Sequence, residues 1–196
     1  ASVGTGNNDE MYGTAGNDQL SGLGGDDTMY GLGGADTLLG GDGNDWLSGG
    51  DGADIVQGGA GADFIHGSGG SYDTLQGGEG NDTIIAGIRC LVDGGDGNDS
   101  ISGALYSILN GGAGNDTITG SQGSINGDGG NDLLLCSGYE TLAGGQGSDT
   151  YMIQTAGAAR QLVIDDYSAG DTGVDVLVFG SDSRLNKTSF IYSQDG

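Results

Sequence analysis

The chain has 196 residues, of which 47 are glycine and none is proline, and its formal net charge is −24 at pH 7. With only 34% hydrophobic residues, it cannot offset the entropy of folding unless a cationic partner neutralises its carboxylates. Arg89 is its first basic residue, and this acidity argues against nucleic acid or an anionic membrane as a partner. No stretch predicts a transmembrane segment, and no signal-peptide pattern opens the chain.

A nine-residue unit repeats from residue 4 onward. It reads Gly-Gly-x-Gly-x-Asp-x-apolar-x, as in GGDGNDWLS at 40–48, and units begin at 4, 13, 22, 31, 40, 49, 58 and 67. Six turn-forming positions followed by three strand-like positions predict a tight turn and a short strand with one inward side chain. The predicted inward residues are Met11, Leu20, Met29, Leu38, Leu47, Val56, Ile65 and, after one inserted residue, Leu75.

Each unit places several glycines and one aspartate at its turn. Glycine suits turn positions that have unusual backbone angles and inward-pointing carbonyl oxygens. Carbonyl oxygens closed by carboxylates make a hard-oxygen site, which favours calcium over magnesium. The candidate metal ligands are the aspartates at the sixth position: Asp9, Asp18, Asp27, Asp36, Asp45, Asp54, Asp63, Asp73, Asp82, Asp99, Asp116, Asp132 and Asp149.

The spacing of the units changes from residue 77. Complete units begin at 77, 94, 111, 127 and 144, and the stretches between them lack the Gly-Gly-x-Gly-x-Asp turn. The pattern therefore predicts calcium turns on both sides of the N-terminal half and on one side only of the C-terminal half. Each intervening stretch still ends in an apolar residue before the next glycine pair, namely Val92, Leu109, Ile125 and Leu142.

The tandem unit resembles the RTX nonapeptide, the hemolysin-type calcium-binding repeat of type I-secreted bacterial proteins. The resemblance covers residues 4–152 and implies an all-β fold, a right-handed parallel β-roll or β-solenoid in which two units make one coil. It also implies that calcium lies between stacked turns, held by aspartates and by backbone carbonyls of the first four turn positions. Two adjacent turns represent these carbonyl ligands: Gly40, Gly41, Asp42, Gly43, Gly58, Gly59, Ala60 and Gly61.

The number of ions follows from the number of stacked turns. Nine sixth-position aspartates fall on one side and four on the other, so about eleven calcium ions are expected if every stacked pair binds. Residues 1–152 carry 22 acidic residues and one basic residue, and this many divalent ions would bring them close to neutrality. Two turns depart from the pattern, because Asn7 replaces a glycine and an extra residue precedes Asp73.

Residues 153–196 follow the repeats and are expected to form a C-terminal β cap on the open end of the roll. Strands are predicted within QLVIDDY (161–167), VDVLVFG (174–180) and SFIYS (189–193). The second of these resembles a strand that often follows RTX arrays.

The remaining distinctive residues do not predict a catalytic site. His66 is the only histidine and is expected on an outer strand face, without a nucleophile or an orienting carboxylate. Cys90 and Cys136 lie about three coils apart, too far for a disulfide, so two free thiols are predicted. Trp46 and Phe64 share an outward column, where they either pack on each other or form a small aromatic patch.

The sequence thus predicts a calcium-binding repeat module, not an enzyme, that folds on binding extracellular calcium and serves the folding, stability and spacing of a larger type I-secreted protein. That protein is expected to be of the toxin or adhesin type, secreted or on the bacterial cell surface, with flanking domains and a monomeric state. One alternative is an adhesion surface for ice, a glycan or a cell surface, and another is an accessory calcium domain of a secreted enzyme. The ice-binding alternative depends on an interrupted outward column: Thr28, Thr83, Ser100, Thr117 and Thr150.

Overall fold

The computed structural model describes residues 1–137, 141–154, 163–164 and 173–179. These residues form two ten-stranded sheets in which every pair of neighbouring strands is parallel, and strands from the two sheets alternate along the chain. Among them, no helix is long and apolar enough to cross a bilayer.

The first sheet contains the odd-numbered strands: β1 (Ser2–Val3), β3 (Gln19–Gly24), β5 (Thr37–Asp42), β7 (Ile55–Ala60), β9 (Thr74–Glu79), β11 (Leu91–Asp96), β13 (Ile108–Ala113), β15 (Ser124–Gly129), β17 (Thr141–Gln146) and β19 (Val163–Ile164). The second sheet contains the even-numbered strands: β2 (Glu10–Tyr12), β4 (Thr28–Gly33), β6 (Trp46–Asp51), β8 (Phe64–His66), β10 (Thr83–Ala86), β12 (Ser100–Leu105), β14 (Thr117–Ser121), β16 (Leu133–Cys136), β18 (Thr150–Ile153) and β20 (Val176–Phe179).

Because each strand pairs with the strand two places along the chain, one coil consists of one strand from each sheet. The apolar eighth positions lie in register, as in Leu38 opposite Val56 and Val56 opposite Leu75. The predicted parallel β-roll, with two repeat units per coil, is therefore confirmed.

The core is a stack of inward side chains from both sheets, one per repeat unit. Every eighth-position residue predicted to point inward is buried, and Leu38, Leu47, Val56 and Ile65 have no exposed surface. The inward residues predicted for the metal-free stretches, from Val92 to Leu142, are buried as well. A core one side chain thick per strand buries little apolar area, so the roll needs another source of stability.

The strands are longer than the predicted three residues. In β6 the three strand-like positions, Trp46 to Ser48, run on through the first three positions of the next unit, Gly49 to Asp51. The glycine backbones pair between coils like the rest of the strand, as Gly59 does with Gly78. Sequence patterning misses this extension because glycine has low strand propensity, and only stacking on an identical coil supplies the pairing.

Part of the C-terminal segment continues both sheets. β19 pairs with β17 and β20 pairs with β18, so two of the three predicted strands are found. The third, at 189–193, lies outside the described residues. The two cysteines do not form a disulfide, as predicted, and both are buried.

Candidate calcium-binding columns

The sixth-position aspartates form two continuous columns, one along each edge of the roll. In each column the backbone N–H of one aspartate donates to the Oδ1 atom of the aspartate in the next coil. This distance is 2.7 Å from Asp45 to Asp63 and 2.8 Å from Asp63 to Asp82 in the long column, and 3.0 Å from Asp54 to Asp73 in the short column. The long column contains Asp9, Asp27, Asp45, Asp63, Asp82, Asp99, Asp116, Asp132 and Asp149, and the short column contains Asp18, Asp36, Asp54 and Asp73.

The second carboxylate oxygen, Oδ2, differs between the interior of a column and its ends. In nine interior aspartates the Oδ2 atom is buried and has no hydrogen-bond partner. A buried acceptor that carries charge and lacks a partner is strongly unfavourable unless a cation occupies the space beside it. These nine residues are Asp27, Asp36, Asp45, Asp54, Asp63, Asp82, Asp99, Asp116 and Asp132.

Backbone carbonyls face the same spaces. Next to Asp27 Oδ2, a Cβ atom on Gly22 would clash with that oxygen and would lie 2.6 Å from the carbonyl oxygen of Gly40 in the next coil. At the second and fourth positions, Gly41 and Gly43 have φ angles of 118° and 137° and lie directly over carbonyl oxygens of the preceding coil. Only glycine leaves room here, so the repeat keeps an oxygen-lined space between coils.

The carbonyl oxygens predicted as ligands fall into two groups, those that face a glycine of the neighbouring coil and those that accept a backbone hydrogen bond. The carbonyl oxygen of Gly58 faces the first-position glycine of the neighbouring coil. Those of Gly41 and Gly43 face its second- and fourth-position glycines. The third-position carbonyls of Asp42 and Ala60 instead accept backbone hydrogen bonds of 2.8 Å from the coil before. The side chains of third-position aspartates are exposed, as expected for residues that offer only a carbonyl.

Burial dominates the electrostatics of the columns. It raises the pKa of Asp82 and of Asp132 to about 7, and that of Asp45 and of Asp116 to about 6. The neighbouring carboxylates of the column raise these pKa values further, whereas the hydrogen bond from the backbone N–H of the aspartate in the preceding coil lowers them. The columns therefore disfavour their own negative charge unless a cation is bound.

The donor set suits calcium. Carboxylate and carbonyl oxygens are hard ligands, and the spaces are lined by several of them from two different coils. Among the described residues, no three His, Cys, Asp or Glu side chains gather at one point, so a bound ion depends on backbone carbonyls. That requirement accounts for the glycine content of the turns.

At the first turn of each column, unlike in the interior, the aspartate Oδ2 atom has hydrogen-bond donors. Thr5 donates its backbone N–H and its hydroxyl to Asp9 Oδ2, at 2.6 and 2.9 Å. Thr14 does the same for Asp18 Oδ2, at 2.6 and 2.7 Å, and these bonds lower the pKa of Asp18. At the first turn of each column, threonine thus supplies the donors that the interior turns lack.

Protein donors also lie at the far ends. The Cys90 thiol donates to Asp73 Oδ2 at 3.4 Å, and burial raises the pKa of this thiol to about 11, so it keeps its proton at neutral pH. The hydroxyl of Tyr151, itself buried, occupies the same space in front of Gly144 as Asp149 Oδ2. At the last sixth-position aspartate of each column, a thiol or hydroxyl group of the protein thus lies close to Oδ2.

Beyond Asp73 the short column continues with other residues. Cys90 occupies the next ladder position, and its backbone N–H donates to Ser107 Oγ at 3.1 Å. The backbone carbonyls of Cys90 and Ser107 bond to the following strands, as those of the aspartates do. This arrangement agrees with the metal-free edge expected for the C-terminal half.

A second ladder, which sequence reasoning missed, consists of the fifth turn position. Asn98 Oδ1 accepts the backbone N–H of Asn115 at 2.7 Å, and Asn115 Oδ1 accepts that of Asn131 at the same distance. It runs in the opposite direction to the aspartate ladder, since the later coil is the donor. The frequent Asn before the ladder aspartate is the signal that could have predicted it.

Asp175 was also missed. Its Oδ1 accepts the backbone N–H of Asp149 at 2.9 Å, which adds a tenth member to the long ladder. Gly173 lies over the carbonyl of Gly147, as fourth-position glycines do elsewhere. The pattern G-x-D-x-apolar at 173–177 was visible, but its separation of 26 residues from Asp149 breaks the regular spacing.

His66, Trp46 and Phe64, which stood out in the sequence, each contact another side chain. His66 Nδ1 shares a hydrogen bond of 2.8 Å with Ser68 Oγ. Trp46 and Phe64 stack with ring centroids 4.1 Å apart, so the two rings pack on each other.

Two parallel sheets wound around a single apolar stack, with buried carboxylates and glycine carbonyls between coils, define a calcium-binding β-roll. Compared with known families, the chain matches the RTX calcium-binding nonapeptide repeat (4 copies) over residues 3–38, 39–72, 73–88, 91–105 and 107–134. Since these segments make up more than half of the chain, it belongs to this family and is a calcium-binding repeat module. None of the curated proteins matches it.

Proposed function

We propose that this module is a metal-coupled folding unit, which is unfolded where calcium is scarce and compact where calcium is abundant. The observation that carries this proposal is the row of nine buried Oδ2 atoms without partners. Without a cation they oppose folding, and with one they become ligands, so the free energy of binding contributes to folding. The net charge of −24 acts in the same direction.

The proposed ligands are the thirteen sixth-position aspartates with the carbonyl oxygens of the adjacent glycine turns. We propose nine strong sites, one beside each Oδ2 atom that lacks a partner, seven in the long column and two in the short column. The spaces beside Asp9 and Asp18 are weaker end sites, because threonine already satisfies those oxygens. Filling both would give about eleven ions, the number of stacked pairs.

The role in a larger protein follows from the family and from the chemistry. A chain that folds only in calcium can remain extended during type I secretion and fold outside the cell, where sites with dissociation constants on the order of 0.1 to 1 mM suffice. We therefore propose a secreted or surface location, a monomeric state and flanking domains that this module folds, stabilises and spaces. We assign it no catalytic role, since its chemistry is that of ion binding.

Residues 153–196 are proposed to close the roll as part of the same domain as residues 4–152. The pairing of β19 and β20 with the last strands of the two sheets supports this. So does Tyr151, whose hydroxyl accepts the backbone N–H of Gly144 at 2.8 Å at the last regular turn.

A calcium titration of the chain from chelator tests the proposal, followed by far-UV circular dichroism and by the fluorescence of Trp46, with magnesium as control. We expect a cooperative coil-to-β transition with calcium alone. Equilibrium dialysis should then give nine tightly held ions and up to two weaker ones. A chain already folded in chelator, or folded equally well by magnesium, would exclude calcium-coupled folding.

A further inference from the structure

An exposed column of large side chains begins at the end of the short aspartate column and continues along the same edge into the C-terminal half. Tyr72, Arg89 and Tyr106 occupy successive coils just before the ladder residues Asp73, Cys90 and Ser107. The Arg89 guanidinium carbon lies 5.9 Å from the ring centroid of Tyr72 and 5.2 Å from that of Tyr106. Two rings therefore flank the cation, which restrains the guanidinium and leaves its N–H groups for another partner.

The backbone at these three positions favours glycine, yet bulky residues occupy them. The φ angles are 73° at Tyr72, 60° at Arg89 and 65° at Tyr106. A residue with a Cβ atom is disfavoured in this left-handed region, and such strain concentrates at functional sites. Most calcium turns use glycine for the same kind of backbone, as at Gly41 and Gly59, although Leu23, Leu32 and Asp128 also have positive φ angles. Tyr72, Arg89 and Tyr106 place large side chains at such positions on three successive coils, which points to a role for those side chains.

The charge around the column is unlike that of the rest of the molecule. Arg89 is the only Lys or Arg in the described residues, and no carboxylate among them forms an ion pair with it. Residues 83–92, 100–115 and 117–127 contain no Asp or Glu. Asp73, which follows Tyr72 directly, is buried and bonded to Cys90. On a strongly acidic protein, this is a stretch of the edge where a negative group meets less repulsion.

Exposed apolar residues occupy neighbouring positions on the same coils, since Leu91 pairs with Ile108 and the Arg89 backbone N–H donates to the carbonyl of Leu105. Exposed fractions are 39% for Ile88, 50% for Leu91, 37% for Leu105 and 55% for Ile108. Tyr and Arg anchors within an apolar surround are the composition of energetically dominant sites in protein–protein interfaces. A single cation is too little for an anionic membrane, which needs a cluster of basic residues.

We propose that the surface formed by Tyr72, Arg89, Tyr106 and these four aliphatic residues, the Tyr–Arg–Tyr surface, docks a protein partner. The partner places one carboxylate against the Arg89 guanidinium and packs apolar side chains on the aliphatic residues. This activity is separate from ion binding, because Arg89 and Tyr106 precede Cys90 and Ser107, which are not ladder carboxylates. Tyr72 alone precedes a proposed calcium ligand, Asp73, and the surface requires the folded roll.

The test uses the whole chain saturated with calcium and a random twelve-residue peptide library displayed on phage. We expect the selected peptides to share an Asp or Glu flanked by apolar residues. A synthetic peptide from the selection should lose at least tenfold in affinity, about 1.4 kcal/mol, when Arg89→Gln is introduced or when its own acid is changed to the amide. Gln19→Ala, an exposed change in β3 of the same sheet, should leave binding unchanged.

A second variant separates a binding role from a structural one. Tyr72→Gly and Tyr106→Gly together remove the flanking rings and relieve the backbone strain. We expect this variant to be at least as stable as the wild type to urea in calcium, yet to lose peptide binding. Loss of stability instead would show that the stacked column serves the fold, and would overturn the proposal. Enrichment of peptides without acids, equal binding by Arg89→Gln, no enrichment, or Arg89-dependent binding to phosphatidylserine vesicles or hyaluronate would overturn it as well.

Discussion

Each ladder aspartate uses its two oxygens for different purposes. Asp99 Oδ1 accepts the backbone N–H of Asp82 at 2.8 Å, whereas its Oδ2 is buried without a partner. The first oxygen holds neighbouring coils together, and the second needs a cation. Because the two atoms differ in their partners, substitutions can separate the ladder from the ion.

Asp99→Asn should lose calcium while keeping the ladder. The amide retains an acceptor for the Asp82 N–H but replaces the charged oxygen, so we expect at least one fewer bound ion by equilibrium dialysis. Asp99→Ala also loses the hydrogen bond, which adds a cost of about 1 to 3 kcal/mol in urea unfolding at saturating calcium. Asp96→Asn is the matched control, since Asp96 is exposed and offers only its carbonyl. Full ion binding by Asp99→Asn would contradict the role given to Oδ2.

At the end of the short column, the Cys90 thiol donates a hydrogen bond to Asp73 Oδ2, whereas we propose a cation beside the Oδ2 atom of the interior aspartates. Cys90→Ala leaves the buried Asp73 Oδ2 without a partner, so we expect a loss of about 1 to 3 kcal/mol in the free energy of unfolding. Cys90→Ser keeps a donor and should lose less. Both are measured by urea unfolding in saturating calcium, with Cys136→Ala as control for the loss of a buried thiol. An equal loss in Cys90→Ala and Cys90→Ser would assign the effect to packing.

The regular spacing made the ladder aspartates and the inward residues predictable, because every repeat has the same surroundings. The column ends were not predictable. Thr5 and Cys90 donate to Oδ2 there, and the Tyr151 hydroxyl lies in the same space, from three different positions relative to the aspartate, so no single pattern covers them. Asp175 was missed for a similar reason, since an insertion separates it from the regular array.

At the scale of strands and turns, two ladders of opposite direction connect many pairs of stacked turns, although turns with alanine at the fifth position, such as Ala35 and Ala62, offer no acceptor to the second ladder. The aspartate ladder is buried and contains the proposed ion ligands, whereas the asparagine ladder is exposed and needs no ion. Where both ladders are present, two sets of hydrogen bonds support coil stacking. The sequence predicted the turns and their side but not their mutual hydrogen bonds, which exist only after stacking.

The asparagine ladder should contribute to stability without contributing to ion binding. Asn98→Ala removes the acceptor of the Asn115 N–H, so we expect a loss of roughly 0.5 to 1.5 kcal/mol in urea unfolding with the ion count unchanged. Asn98→Asp, which keeps an acceptor oxygen, should restore most of this stability. A change in the number of bound ions in Asn98→Ala would show that the two ladders are not independent.

For the whole molecule, composition alone already predicts the property that we propose, which is dependence of folding on a cation. A core one side chain thick per strand cannot offset chain entropy together with 28 acidic residues against four basic ones. The structure adds the location of the opposing charge, because most ladder carboxylates are buried in columns between coils. Protons can neutralise these groups as calcium does, which makes folding depend on pH.

In the absence of calcium, acid should favour the roll. The carboxyl groups of Asp82 and Asp132 have a pKa of about 7 in the metal-free roll, against 3.8 for an unperturbed aspartate, because they are buried. Between these values the folded state binds more protons than the unfolded state, so its stability rises as pH falls and is lost as pH rises through about 7. In chelator, far-UV circular dichroism should therefore show more β-structure at pH 5 than at pH 8.

When folding is driven by calcium, acid should instead oppose folding. Calcium binds the ionised carboxylates, so protons compete with it, and the calcium concentration needed for half-maximal folding should increase as pH falls from 7 to 5. Opposite pH dependences in chelator and in calcium are expected because protons neutralise the column carboxylates in the first experiment and compete with calcium for them in the second. If acid instead reduced β-structure in chelator, the raised pKa of the column carboxyls would not govern the metal-free state.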